Sequence, residues 1–200
     1  MEAFDQLAEL YQGEHSRNPH QAALIEKIES MVPTTAAILD LGCGTGVPTA
    51  KVFTESGHRV VGVDIAEGML RLAREQVPAA EFIHADLREL PADLGRFGAV
   101  TAFFSLLMLS RADIEKTLVR IAGWLTPGGL LGLGMVNLDA DSLPVEFMGV
   151  PVTVSGYPQD ALAARVTAAG LEIVSIETVE FVPPGGPPES QIFVLGRLPA

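Results

Sequence analysis

The sequence predicts an α/β fold: a doubly wound, seven-stranded sheet, parallel except for an antiparallel hairpin formed by its last two strands, with an N-terminal helical cap. Three observations carry this expectation. Between residues 36 and 136, strand-length apolar runs alternate with helix-length runs across short connections, the pattern of right-handed crossover units in a parallel sheet. The run from Phe97 to Phe104 is almost wholly apolar, as a strand covered by helices on both faces must be. The final strand-like runs, Leu171 to Val182 and Gln191 to Leu198, are joined by a Pro/Gly-rich segment that contains no helix, so they should pair antiparallel.

In chain order, residues 3–12 space their apolar positions as a short amphipathic helix ended by Gly13. A second helix is expected from Pro19 to Met31, with Asn18 as N-cap and Pro19 at its first position. The strand Ala36 to Leu41 opens into Gly42-Cys43-Gly44-Thr45-Gly46, and helix signals resume near Val47 until Gly57 stops them. Then come strand Arg59 to Val63, helix Ala66 to Gln76, strand Glu81 to His84 and strand Phe97 to Phe104. Helix Arg111 to Leu125 passes through Pro127-Gly128-Gly129 into strand Leu130 to Val136. Residues 137–157 read as irregular or weakly extended, and 159–169 as helix. The division expected is a cap over residues 1–32 and one α/β domain over 33–200.

Composition bounds the partners. The 200 residues are 48% hydrophobic, which excludes a disordered chain. Thirteen basic against 25 acidic residues give a net charge of −12. Nucleic acid and anionic membrane surfaces are therefore not expected, because both are met by basic stripes. The single Cys43 permits no internal disulfide. Met1-Glu2-Ala3-Phe4-Asp5 lacks the positive start of a signal peptide, and the most apolar run, Ala99 to Leu109, is about half a membrane span. A soluble, cytoplasmic monomer or homodimer is expected.

In an open parallel sheet, ligands bind at the carboxyl ends of the strands. The first strand ends in Asp40-Leu41-Gly42-Cys43-Gly44-Thr45-Gly46, where alternate glycines allow a tight turn and close approach of a ligand. The second ends in Asp64, a carboxylate suited to both hydroxyls of a ribose, or to capping the next helix. The third ends in Ala85-Asp86-Leu87, where Asp86 suits an adenine amino group with Leu87 against the ring, or serves as a plain turn residue. Dinucleotide-dependent dehydrogenases want G-x-G-x-x-G, but the position three after Gly44 is Val47, so the glycine spacing is G-x-G-x-G.

With Asp64 and Asp86 following in register, the chain resembles the class I S-adenosylmethionine-dependent methyltransferases, in particular small bacterial enzymes acting on metabolites. Val60-Val61-Gly62-Val63-Asp64, Ala85-Asp86-Leu87 and Trp124-Leu125-Thr126-Pro127-Gly128-Gly129 follow the glycine motif in that superfamily's order. The resemblance implies a Rossmann-like fold, S-adenosylmethionine as cofactor and S-adenosylhomocysteine as product. It implies that Gly42, Gly44 and Gly46 underlie the methionine and ribose, that Asp64 takes the ribose hydroxyls and that Asp86 takes the adenine amino group. Ile65 would flank the adenine, and Asp40 would act at the amino acid end. Cys43, Met69, Ala85 and Phe103 complete the implied cofactor set, with Tyr11 as a lid.

The resemblance also narrows the acceptor to a small molecule. Phe103-Phe104-Ser105-Leu106 stands where methyltransferases of DNA amino groups and protein glutamine carry Asn/Asp-Pro-Pro-aromatic. No Asp ends the fourth strand as in the metal-dependent catechol enzymes, and Asn137, Asp139 and Asp141 read as solvated turn formers, so no metal is expected. Met108 replaces a histidine of the related small enzymes, which removes an imidazole from that position and makes the pocket more apolar. Of His15, His20, His58 and His84, the candidate base is His20. Met108, Met148, Val152, Val154 and Tyr157 are expected to line an acceptor site for an oxygen or nitrogen nucleophile on a fairly apolar metabolite. Alternatives are a cofactor-binding protein that catalyses a cyclisation or rearrangement, and a nucleotide-binding module without catalysis.

Overall fold

The computed structural model describes residues 18–147, 149–183 and 188–200. The expected helix over 3–12, with Tyr11, and also His15 and Met148, lie outside the described residues. Helix α1 spans Pro19–Met31, followed by strand β1 (Ala37–Leu41), helix α2 (Thr49–Glu55), β2 (Arg59–Asp64), α3 (Glu67–Gln76), β3 (Glu81–His84) and β4 (Phe97–Phe103). After a 3-10 turn at Leu106–Met108 come α4 (Arg111–Trp124), β5 (Leu125–Val136), β6 (Ala140–Phe147), β7 (Val150–Gly156), α5 (Gln159–Ala168), β8 (Glu172–Phe181) and β9 (Glu189–Arg197).

Seven strands form one sheet in the order β3-β2-β1-β4-β5-β9-β8. The first five are parallel, and β9 runs antiparallel between β5 and β8. The chain order reverses between β1 and β4, which makes their shared carboxyl ends the topological switch point where open α/β sheets bind ligands.

Alternation along the central strands separates two cores. Ile38, Val60, Ala99 and Leu130 pack on one face with Leu24, Ile25 and Ile28 of α1 and Phe53 of α2. Leu39, Val61, Val100 and Leu131 face the other way, onto Leu118, Ile121 and Trp124 of α4 and Leu162 and Val166 of α5. Trp124 is fully buried and donates its indole N–H to the Pro91 carbonyl at 3.1 Å. No helix among the described residues is long and apolar enough to cross a membrane.

Of the two alternatives for residues 137–157, irregular or weakly extended, the extended one holds: β6 and β7 pair antiparallel as a separate two-stranded hairpin packed over the 3-10 turn, with an isolated bridge from Asn137 to Tyr157 where β5 and β7 end. Pro144 and Pro151 interrupt its sequence pattern, since proline lacks a ladder donor and strands carrying it are confined to edges. Most of β6 is exposed, so no apolar alternation marks it either.

Helix α1 begins as its sequence suggests. The Asn18 side-chain oxygen accepts from the backbone N–H groups of His20 and Gln21 at 3.0 and 3.2 Å, and its Nδ2 donates to Gln191 Oε1 of β9 at 2.6 Å. One buried amide thus caps the helix and ties it to the sheet. Asn18→Ala should lower unfolding free energy by about 2 kcal/mol in a denaturant titration, combining a lost cap with a buried Gln191 Oε1 deprived of its donor.

Candidate active site

A cavity of about 650 Å³ opens at the carboxyl ends of β1, β2, β3 and β4. Its shape begins with a backbone constraint. Gly42 follows β1 at φ +69°, and a Cβ there would lie 2.1 Å from Cβ of Ser105, whose hydroxyl donates to the Leu41 carbonyl at 2.6 Å. The N–H groups of Gly42 and Cys43 both donate to the Val63 carbonyl, folding the turn over the end of β2. Gly44, at φ +53°, has nothing within 4 Å in the direction a side chain would take. Its bare backbone leaves open space at the cavity wall.

Three carboxylates line this cavity, each held differently. Asp64 accepts the Gly44 N–H on Oδ2 at 2.8 Å and the Ala66 N–H on Oδ1 at 2.9 Å. It therefore binds the glycine turn and also caps the chain entering α3. Asp40 is buried; its Oδ1 accepts from the Thr101 hydroxyl at 2.7 Å, while Oδ2 is buried without a hydrogen-bond partner among the described residues. Burial pushes its pKa up to about 7 against the relief from Thr101, with a smaller push from the Asp64 charge. Asp86 accepts from its neighbour Arg88 through the backbone N–H and the guanidinium, which hold its pKa below the usual carboxylate range.

Of the residues expected to hold a cofactor, the wall also includes Cys43, Ile65, Met69, Leu87 and Phe103. Gly46 and Ala85 do not line it. Gly46 closes the turn, donating to the Cys43 carbonyl, and a Cβ there would press on Val77 and Phe82. Ala85 continues the β2–β3 ladder by donating its N–H to the Asp64 carbonyl. Burial pushes the Cys43 thiol pKa well up, so it stays protonated at neutral pH.

The wall also carries apolar side chains, Phe104, Met108, Leu109, Pro144, Pro151 and Val152, with Gln21, Thr49, Ser105 and Thr153 among its neutral polar groups. Phe104 is a non-glycine residue at φ 54°, held with its ring edge-on to Phe193 at 5.7 Å between centroids. Side chains rarely keep that backbone conformation unless their surroundings enforce it. Gln21 is buried and donates to the Thr49 hydroxyl at 3.3 Å.

Three further expected site residues lie off the cavity wall. His20 is off the wall; its ring lies beside Phe193 at 6.0 Å between centroids. Tyr157 is 3% exposed and faces helix α4, donating its hydroxyl to Glu115 at 3.0 Å beneath the guanidinium of Arg111, 4.5 Å above its ring. Burial, then Glu115, raises its pKa. Val154 packs against the core behind the hairpin. Arg111 also donates to the Gly156 carbonyl and Asp139, and its N–H to Asp141. Asp139 and Asp141 thus clamp the hairpin to α4.

Gln21, Thr49, Phe104 and the hairpin prolines were not singled out from the sequence. Phe104 gave no signal because its backbone conformation arises only where β4 meets the turn, and Gln21 none because a polar residue on a helix reads as solvent-facing.

Comparison with known proteins agrees with this geometry. A family model described as a methyltransferase domain matches residues 38–129. A demethylmenaquinone methyltransferase of Thermus thermophilus is 32% identical over 166 residues, covering 68% of this chain and 74% of that protein. A 27-O-demethylrifamycin SV methyltransferase of Amycolatopsis mediterranei is 32% identical over 172 residues, covering 78% of this chain and 62% of its own length. Several other curated relatives are matched over only about half their length. The Burkholderia thailandensis 1,6-didemethyltoxoflavin-N1-methyltransferase, solved with 1,6-didemethyltoxoflavin and S-adenosylhomocysteine, has the same fold, with a TM-score of 0.75 at 21% identity over 100% of this chain and 85% of that one. The chain belongs to the S-adenosylmethionine-dependent methyltransferase family.

The buried Asp40 makes a pH signature. The unfolded chain releases this proton near pH 3.8, whereas the folded protein holds it to about pH 7. Stability therefore declines as pH rises between those values and stays lowered above them; below both, the group contributes nothing. The shift from 3.8 to about 7 sets a ceiling of about 4 kcal/mol. Asp40→Asn keeps an acceptor for Thr101 and cannot ionise. It should melt higher than wild type near pH 8 and within a degree or two of it near pH 4, as read by thermal unfolding.

Proposed function

We propose that the protein transfers a methyl group from S-adenosylmethionine to an oxygen or nitrogen of a small, fairly apolar metabolite. The observation that carries this reading is one cavity whose wall combines three carboxylates and a bare glycine turn with apolar side chains of the 3-10 turn and the β6–β7 hairpin. The residues fit the cofactor on two features. Gly44, bonded to Asp64 through its N–H, leaves open the space a side chain would take, and the buried Asp40 Oδ2 lacks a partner among the described residues. An ammonium or an ordered water would satisfy that oxygen.

Asp64 would hold the ribose hydroxyls, Asp86 and Leu87 the adenine, Ile65 and Met69 its flank, and Asp40 the amino acid end. When bound, the cofactor supplies a methyl carbon already activated by a positive sulfonium. The chain's own residues have to orient the acceptor and exclude water, and alignment of this kind supplies roughly 7–11 kcal/mol of a barrier. Phe104, Met108, Leu109 and Val152 would exclude water, while Gln21 and Thr49 offer hydrogen bonds to a polar handle on the acceptor. With Met108 on the wall where related enzymes carry histidine, and His20 directed to Phe193, an acceptor that ionises readily or attacks through a neutral nitrogen suits the site best. Gln21 lies on the wall and belongs to residues 1–32, which supports reading that stretch as a cap over the domain spanning 33–200.

Two titrations and one assay test this. Wild type should bind S-adenosylhomocysteine at micromolar concentration in calorimetry, and Asp64→Ala should weaken it at least about tenfold, or 1.4 kcal/mol; absence of binding in wild type would sink the proposal. Met108→Asp should leave that affinity within about twofold while abolishing acceptor-dependent release of S-adenosylhomocysteine, because burying a charge in the apolar wall opposes acceptor binding. Equal loss of both properties would remove Met108 from the acceptor site.

A further inference from the structure

We propose that Arg88 is a latch on Asp86 that an adenine amino group must displace, so that this one side chain sets how strongly the site prefers an amino-bearing purine. The inference rests on the cofactor reading above and concerns how the adenine end is guarded.

A carboxylate has about four acceptor positions. At Asp86, one residue meets both oxygens with three N–H groups. The Arg88 backbone N–H donates to Oδ1 at 2.8 Å, its Nε donates to Oδ1 at 2.9 Å and Oδ2 at 3.0 Å, and its Nη2 donates to Oδ2. Both residues line the cavity, beside Leu87. An exocyclic amino group approaching Asp86 therefore meets an acceptor already occupied by a charged, forked donor. Charge-assisted forks outcompete a single neutral N–H, so the amino group gains its bond only as the guanidinium leaves.

The turn itself does not need that side chain. The Glu89 N–H donates to the Asp86 carbonyl at 3.0 Å, and Arg120 of α4 donates to the carbonyls of Leu87 and Arg88. The Arg88 guanidinium is largely solvent-exposed, with its side chain 56% accessible, so it can swing outward without opening the core. The backbone stays fixed and the side chain is the moving part. Adenine recognition is then reduced by the share of molecules in which the latch is closed.

A base with a 6-oxo group in place of the amino group behaves oppositely. It carries no donor for Asp86 at that position, and a bare carboxylate would repel its oxygen, whereas a closed latch shields it. Loss of Arg88 should thus separate the two bases.

The test is calorimetric titration of wild type, Arg88→Ala and Arg88→Gln with S-adenosylhomocysteine and with S-inosylhomocysteine, each variant checked by thermal unfolding. Both variants should bind S-adenosylhomocysteine about three- to tenfold more tightly than wild type, the scale of one exposed but forked ion pair. Affinity for S-inosylhomocysteine should hold or fall. Unchanged or weaker binding of S-adenosylhomocysteine by the variants would overturn the latch while leaving the cofactor reading intact. Equal tightening toward both ligands would also overturn it, since that is the mark of removed bulk. A wild-type protein that binds neither ligand would remove the cofactor reading and the latch with it.

Discussion

The polypeptide leaving β1 has to reverse over the end of β2 while the end of β4 closes in from the other side, and there is no room for a side chain where they meet. Gly42 lies so close to Ser105 that even a methyl group would overlap it, and Ser105 in turn hydrogen-bonds the last carbonyl of β1. This contact brings β1 and β4 together at the point where the strand order reverses. From it follow the direction of the glycine turn, the double donation of Gly42 and Cys43 to Val63, and the approach of Gly44 to Asp64. Without that closeness the cavity would have neither its floor nor its first carboxylate partner.

The electrostatics of the site grow from the same geometry. Three acids near one cavity in a chain of net charge −12 would repel one another if all were equally exposed. The fold separates them by giving each a different environment. Asp64 is met by two backbone N–H groups, Asp86 by a guanidinium, and Asp40 by a single hydroxyl in full burial. Asp40 consequently retains its proton until about pH 7, which lowers the negative charge beneath the turn at neutral pH and leaves one oxygen unpaired. A buried, half-satisfied carboxyl is unfavourable for folding alone; its persistence at a cavity wall fits a partner that arrives with the ligand.

The apolar part of the wall depends on elements far apart in sequence. The β6–β7 hairpin forms a sheet of its own and is held by Arg111, whose guanidinium reaches Asp139, the Gly156 carbonyl and the face of Tyr157. Tyr157 is in turn bonded to Glu115 on α4. This cluster lies behind the hairpin and fixes which of its residues face the cavity. Pro144, Pro151, Val152 and Thr153 do, and Val154 does not.

The strand–helix order of the main sheet, the antiparallel final pair, the carboxylates at three strand ends and the glycine turn were readable from the amino-acid sequence, because each leaves a local mark: an apolar run, a helix stop, a glycine where φ must be positive. Asp40, Asp64 and Asp86 were legible for the same reason, since strand ends are set by the run that precedes them. The rest came from packing between elements. Whether Tyr157 faces a ligand or Glu115 depends on α4, more than forty positions earlier in the chain. Gln21 becomes a wall residue because Asn18 ties its helix to Gln191 of β9. Phe104 takes its unusual backbone conformation where β4, β5 and β9 converge, bonded to the Gly134 carbonyl and against Phe193. A side chain's direction relative to a distant neighbour is set by packing between elements, and no local pattern encodes it.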